Sequence, residues 1–276
     1  MSDIVLSAGV RSNLLQLQQT SDLITRTQVR LSTGKRVNSA LDNAINFFTA
    51  QGLDNRASDL SSLLDSMSNA INTIQAANNG ITAITKLVQA AQALTSQAKQ
   101  TSDTTTRDSL EDQFNALLTQ IGQLGGDSGF NGVNLLGGDD LEVNFNEDAT
   151  SSTTITGVDY TNQTTPLSIN QAANWSAANG AGDTNIQNAV DDLTAALTTL
   201  RSESQTLGAN LSTVQIRQDF TKTTINTLQN GSATHTLADT NEEGANLLAL
   251  QTRQQLSTTA LSLAAQADQN VLRLFQ

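Results

Sequence analysis

The chain has 276 residues, 3% aromatics, a single Pro and no Cys. That composition suits long helices better than a compact enzyme with a roomy core, and it excludes a disulfide scaffold or Cys-based metal and redox chemistry. Fourteen basic residues against 26 acidic ones leave a net charge of −12, which argues against broad binding to nucleic acid or to an anionic membrane.

The start, Met-Ser-Asp followed by the short apolar run Ile4-Val5-Leu6, lacks the form of a cleaved secretory signal, and nowhere do 18 apolar residues run together. The expectation is a protein without membrane insertion, either cytoplasmic or exported by a route that cleaves no signal. A first helix is predicted over residues 4–32, with Val10, Leu17, Ile24 and Leu31 at seven-residue spacing and Leu14 between them. Gly9, Ser21 and Gln28 weaken that stripe, so the helix is marginal alone. Gly34-Lys35 has the look of a phosphate loop, but Val29 stands where the upstream glycine belongs and Arg36 follows the lysine.

A second helix is predicted from Asn38 or Ser39, both good N-caps, with Asp42 in its first turn. Its seam reads Leu53, Ala57, Leu60, Leu64, Met67, Ile71, Ile74, Asn78 and Ile81. A three-residue step beside Gly80 then shifts it to Ile84, Val88, Ala91 and Leu94. From Leu53 to Lys99 it would run roughly 70 Å at 1.5 Å per residue. The polar run Thr101 to Thr106 reads as a turn. A third helix is predicted from Asp108 or Ser109 to about Leu124, with Leu110, Phe114, Leu117, Leu118 and Ile121 on one face and Gly125-Gly126 ending it.

Helical periodicity then vanishes. Leu141 to Phe145 alternates, and Thr153 to Thr156 follows after a turn, so a small β-hairpin is expected, with Pro166 and Trp175 in loops and few contacts depending on the segment. The chain is organised around the next stretch. Ile186, Leu193, Leu200, Leu207, Val214, Thr221 and Leu228 recur every seven residues, and Val190, Leu197, Ser204, Leu211, Gln218 and Ile225 fill the second row. This helix, about 63 Å long, matches the second as an antiparallel partner. Asn230-Gly231-Ser232 is expected to break it. A last helix follows from Asp239 or Thr240, where Thr240 and Glu243 have capping-box spacing. Leu247, Leu250, Leu261, Ala264, Val271 and Phe275 fall on its heptad frame, with Gln254, Ser257 and Asp268 in the remaining places.

The fold class expected is mainly α: a long antiparallel helical coiled-coil bundle with paired N- and C-terminal helices and a small β-hairpin insertion. Its core comprises Leu60, Leu64, Ile71, Ile74, Leu193, Leu200, Leu207 and Val214. The sole histidine, His235, falls in an expected loop, so a catalytic triad or a multi-histidine metal site has no residues to draw on. The acidic pairs Asp139-Asp140, Glu147-Asp148, Asp191-Asp192 and Glu242-Glu243 read as solvated or helix N-terminal charges. No catalytic, cofactor or metal residues are assigned.

Three stretches resemble bacterial flagellins. Arg30-Leu-Ser-Thr-Gly-Lys-Arg-Val-Asn-Ser-Ala-Leu-Asp-Asn-Ala44 is similar to the N-terminal signature, Thr199 to Ala209 to an internal landmark, and Ala265 to Gln276 to the C-terminal tail with its Gln-Asn-Val-Leu core. The resemblance covers about residues 1–125 and 186–276. It implies an extracellular flagellar filament subunit, secreted by the type III export apparatus with an export chaperone, self-polymerising as a helical homopolymer, and meeting the filament cap and hook-associated proteins.

It further implies a terminal coiled-coil layer from residues 1–38 with 232–276, a long-helix bundle from 39–126 with 183–231, and a surface-exposed insertion at 127–182. The polymerisation seam would then comprise Val10, Leu14, Leu17, Ile24, Leu31, Leu247, Leu250, Leu261, Val271 and Phe275. Flagellins recognised by the vertebrate innate-immune receptor carry two arginines in a stretch that here reads Gln89-Ala90-Ala-Gln92-Ala-Leu94, so the resemblance implies altered recognition. Two other readings stand beside it. A hook–filament junction protein shares the architecture, and a cytoplasmic helical signalling hairpin shares the Ala/Gln/Ser-rich heptads but needs neither the insertion nor the terminal signatures.

Overall fold

The structure is a computed structural model that describes residues 8–162 and 166–274, without the side chains of 268 and 271–274. Its elements are α1 (Ala8–Thr33), α2 (Ala44–Gln100), α3 (Thr104–Asp127), β1 (Leu141–Asn144), β2 (Ser152–Ile155), α4 (Ala181–Thr236) and α5 (Thr240–Leu274). The fold is mainly α, with one antiparallel hairpin that pairs Leu141 with Ile155 and Asn144 with Ser152.

Several boundaries differ from the sequence-based expectation, each for a local reason. Helix α2 starts at Ala44 because Asn43 is its cap: Asn43 Oδ1 accepts from Asn46 N at 3.0 Å. Asp42 instead closes the preceding turn, its Oδ2 accepting from the backbone amides of Asn38 and Ser39 at 3.0 Å each. Helix α3 starts earlier, at Thr104, because Asp103 Oδ2 takes the Thr106 amide at 2.8 Å and the Thr106 hydroxyl at 2.6 Å. Two expected breaks do not occur. Helix α3 runs through Gly125-Gly126, and a Cβ at Gly125 would stand 2.9 Å from the backbone of Tyr160. Helix α4 runs through Gly231, whose bare Cα faces Leu53. At Gly125 the approach of a backbone leaves room for glycine only, whereas at Gly231 the neighbour is the end of a leucine side chain.

The chain forms two compact units, residues 1–55 with 227–276 (the terminal unit) and residues 56–226 (the central unit). In the central unit α2 and α4 are antiparallel: Lys99 bonds to Gln187, Ser204 to Asn78 at 3.3 Å, and Gln218 to Ser68 at 2.9 Å, at successive levels along the two helices. Met67, Ile74, Ile84 and Val88 of α2, Phe114 and Ile121 of α3, and Ile186, Leu193, Leu200 and Val214 of α4 form one core.

The segment 127–182 belongs to that core. Leu135, Leu136, Val143, Phe145, Ile155, Tyr160, Leu167, Ile169 and Trp175 are all buried in the same cluster. Trp175 is fully buried with its ring centroid 5.2 Å from that of Phe114. Its backbone amide donates to Glu111, and its carbonyl accepts from Arg107. Arg217 lies over the Phe145 ring, and Arg56 pairs with Glu147. The expectation that few contacts depend on this segment is therefore corrected. Its scattered large side chains, spaced too irregularly for any period to reveal, form the cover of the helical bundle.

In the terminal unit α1 packs along α5. The turns that follow α1 and precede α5 are locked by backbone bonds. Arg36 N donates to Thr236 O at 2.7 Å, and Ala238 N donates to Gly34 O at 3.0 Å. Gly34 adopts a φ of +67°, which glycine takes without strain.

Candidate assembly surface

Helix α1 turns one row of small polar residues and one row of aliphatic ones toward α5. Val10, Thr20, Ile24 and Thr27 are buried, and Asn13, Leu17 and Leu31 are half-buried. The facing row on α5 is Glu243, buried, followed by Leu247, Leu250, Gln254, Ser257, Leu261 and Ala264, half-buried. Thr20 satisfies its hydroxyl on Gln16 O at 2.8 Å, so it enters the seam without an orphaned donor. Leu14 lies outside this row and is 41% exposed. Phe275 lies outside the described residues, as does the side chain of Val271.

The same unit leaves large apolar side chains in water. Leu248, Leu256 and Leu263 form a second stripe on α5, away from the α1-facing row, and Leu15 and Val29 are exposed on α1. Leu41 is 99% exposed, and Ile45 and Phe48 follow at four and seven residues from it. Phe47 meets Phe48 edge-on at 5.5 Å and lines a hollow with Lys35, Val37 and Ala50. Patches of this kind mark surfaces that other molecules cover. The central unit exposes far less, chiefly Ile216 and Phe220, one turn apart on α4.

Charge divides the same way. The terminal unit carries seven basic and eight acidic residues, the central unit seven basic and eighteen acidic. Backbone donation from Asn38 and Ser39 holds the Asp42 carboxyl below its ordinary range, with Arg30 adding to the effect. Hydrogen bonds from the Thr106 side chain and amide do the same for Asp103. Burial pushes Glu203 up, and burial reinforced by the Glu203 charge pushes Tyr160 up. The Tyr160 hydroxyl is buried without a partner.

The bundle positions Leu60, Ile74, Leu193, Leu200, Leu207 and Val214 are buried, while Leu64 and Ile71 are partly so. Gln89 and Ala90 are exposed on α2, and Gln92 and Leu94 are half-buried. His235 sits in the last turn of α4, not in a loop, and its Nδ1 lies 3.2 Å from Asn46 Oδ1. Among the described residues no group of three acidic, His or Cys side chains is placed to hold a metal, and no helix is long and apolar enough to cross a membrane.

The comparisons with known proteins agree on one family. The bacterial flagellin N-terminal helical region matches residues 8–140, and the bacterial flagellin C-terminal helical region matches residues 188–275. Flagellin FljK of Caulobacter vibrioides is 30% identical over 285 residues, covering 100% of this chain and 99% of that protein. Flagellin FljM of the same organism is 29% identical over 283 residues with the same coverage. A flagellin of Brucella melitensis is 28% identical over 286 residues, with both chains covered in full. With both helical regions present in order and relatives matched from end to end, the chain belongs to the bacterial flagellin family, whose members are the structural subunits of the flagellar filament.

Proposed function

We propose that this flagellin leaves the cell unfolded through the flagellar export apparatus, held beforehand by an export chaperone, and adds to the filament beneath its cap. In this reading α1 and α5 order as subunits join, with Val10, Leu14, Leu17, Ile24, Leu31, Leu247, Leu250, Leu261, Val271 and Phe275 buried between the paired ends and neighbouring copies. Residues 1–38 with 232–276 form the inner layer, 39–126 with 183–231 the surrounding bundle, and 127–182 the solvent-facing side. The role is structural and not enzymatic. One observation carries the reading: the terminal unit combines a half-polar seam with exposed leucines and a nearly balanced charge, as expected of a surface completed by other copies.

The test is electron microscopy of the purified full chain after addition of filament seeds and salt. Unlimited elongation is expected. A short cap that stops growing would assign the hook–filament junction role instead, and absence from sheared extracellular fractions would remove the filament role altogether. The same reading carries a proposal about host recognition. Ala90 and Gln92 replace two arginines whose forked, charge-assisted hydrogen bonds they cannot make. A reporter-cell response at picomolar dose, equal to that of a recognised flagellin, would contradict this escape.

A further inference from the structure

Helix α1 and helix α5 share a difficulty common to heptad pairs: their apolar residues repeat, so sliding one helix by seven residues, about 10 Å, presents much the same stripe again. On α1 the aliphatic row is Val10, Leu17, Ile24 and Leu31, all seven apart. On α5 Leu247, Gln254 and Leu261 form one row, and Leu250, Ser257 and Ala264 the other. The α1 row repeats without a break, and on α5 only the uncharged Gln254 and Ser257 interrupt the rows, so burial discriminates between the native pairing and a slipped one through these two half-buried polar residues alone.

One contact in the seam does not repeat. Arg30 Nη1 donates to Glu243 Oε1 at 2.8 Å, with side chains 24% and 9% exposed, and it is the one ion pair between α1 and α5 among the described residues. Seven residues from Arg30 stand Leu23 and Val37, and seven beyond Glu243 stands Leu250. A heptad slip would thus leave a nearly buried carboxylate facing aliphatic groups and take its hydrogen-bonded partner from the guanidinium, whose Nε is already buried without a partner and which would keep only the weaker influence of the Asp42 charge. A buried charge without its counter-charge is strongly unfavourable, whereas an aliphatic residue without its partner layer loses only part of its burial.

We propose that Arg30 and Glu243 are positioning residues that set the register of α1 against α5, so that each incoming subunit pairs its two ends one way only. This rests on the reading that the paired ends build the filament core. The locked backbone between Gly34 and Ala238 holds the adjoining turns, about one helical turn from Arg30. The ion pair is the first side-chain contact that can tell right pairing from wrong as the helices zip from that end.

The chain has no cysteine, so register can be read directly by introduced pairs. Counted from the Arg30–Glu243 contact along antiparallel helices, Arg253 is level with Thr20 but exposed, so its half-buried neighbour Gln254 is the in-register position and Leu261 lies one heptad further. Full-length chains carrying Thr20→Cys with Gln254→Cys, or Thr20→Cys with Leu261→Cys, are oxidised under assembly conditions, with and without Arg30→Glu. In the parent background the first pair should cross-link at least tenfold more than the second. Arg30→Glu should bring the two yields within about threefold of each other, and adding Glu243→Arg should restore the preference. A preference unchanged by Arg30→Glu, or not restored by the swapped pair, would overturn the proposal, because a purely structural loss is not repaired by reversing both charges. Seed elongation by the same variants separates the two readings. If the parent cross-links in register but never elongates seeds, the filament reading fails and the register assignment stands.

Discussion

The two units of this chain solve the burial problem in opposite ways. The central unit gathers three helices and the 127–182 segment around one core in which Met67, Phe114, Trp175, Leu193 and Leu200 are all buried, and it turns a strongly acidic surface to water. The terminal unit has nearly balanced charge, threonines and a glutamine in its seam, and leucines on its outside. The lesson is that one chain can hold a segment that closes a core of its own beside one that keeps polar residues in its seam and apolar ones on its outside.

The largest effect expected from breaking this contrast comes from placing a charge in each seam. Leu200→Asp puts a carboxylate into the central core and should destabilise that unit by about 3–5 kcal/mol, seen as loss of helical signal or a lower urea midpoint. Leu17→Asp and Leu261→Asp should leave the free subunit's midpoint unchanged and abolish filaments. Melting of the free subunit by Leu17→Asp would mean that the ends are already folded there.

Trp175→Ala sharpens the same contrast from the other side. Removing a fully buried indole tilted against Phe114 should cost about 3–5 kcal/mol, and replacing residues 150–180 with a Gly/Ser linker should lower the midpoint further. A midpoint within 1 °C of the parent would return the segment to the status of a dispensable surface loop.

Charge gives a smaller effect. Eighteen acidic against seven basic residues in each central unit should slow the approach of neighbouring subunits at low ionic strength. The screening length falls to about 10 Å at 0.1 M salt, so repulsion weakens and seed elongation should quicken several-fold between about 10 and 200 mM sodium chloride. A flat salt profile would show that the acidic faces do not meet.

The smallest effect is at Glu203, whose carboxyl burial raises above its ordinary range. A raised folded-state value means that the ionised form opposes folding: the penalty is present above the folded value and absent once pH falls below the unfolded one. Glu203→Gln should therefore raise the melting midpoint at pH 7 and leave it unchanged near pH 3.5. An equal gain at both would assign the effect to packing.

Much of the central unit was legible in the sequence because its signal is periodic. The rows through Ile186, Leu193 and Leu200 and through Ile74, Ile81 and Val88 name the buried faces directly. The misreadings have particular causes. Thr104 to Thr106 read as a turn because the run from Thr101 is polar throughout, yet Asp103 caps them into α3. Gly125 and Gly231 read as breaks because glycine's cost inside a helix is visible from sequence, whereas the backbone or side chain pressed against it is not.

At the assembly surface the aliphatic half of the seam was visible and the rest was hidden. Asn13, Thr20 and Thr27 carry no hydrophobic signal, and Arg30 and Glu243 are 213 positions apart. The outer stripe of Leu248, Leu256 and Leu263 had a signal that would have found it, a second near-heptad row on α5.

The most direct test of the central claim is amide hydrogen exchange, read by mass spectrometry on the full-length chain as free subunit and as assembled filament. The account predicts that peptides from residues 60–98 and 186–225 are protected in both states, and that peptides from 8–33 and 240–274 exchange within seconds in the free subunit and become protected at least a hundredfold in the filament. Equal protection of 8–33 and 240–274 in the free subunit would contradict it, since the ends would then fold without a neighbour.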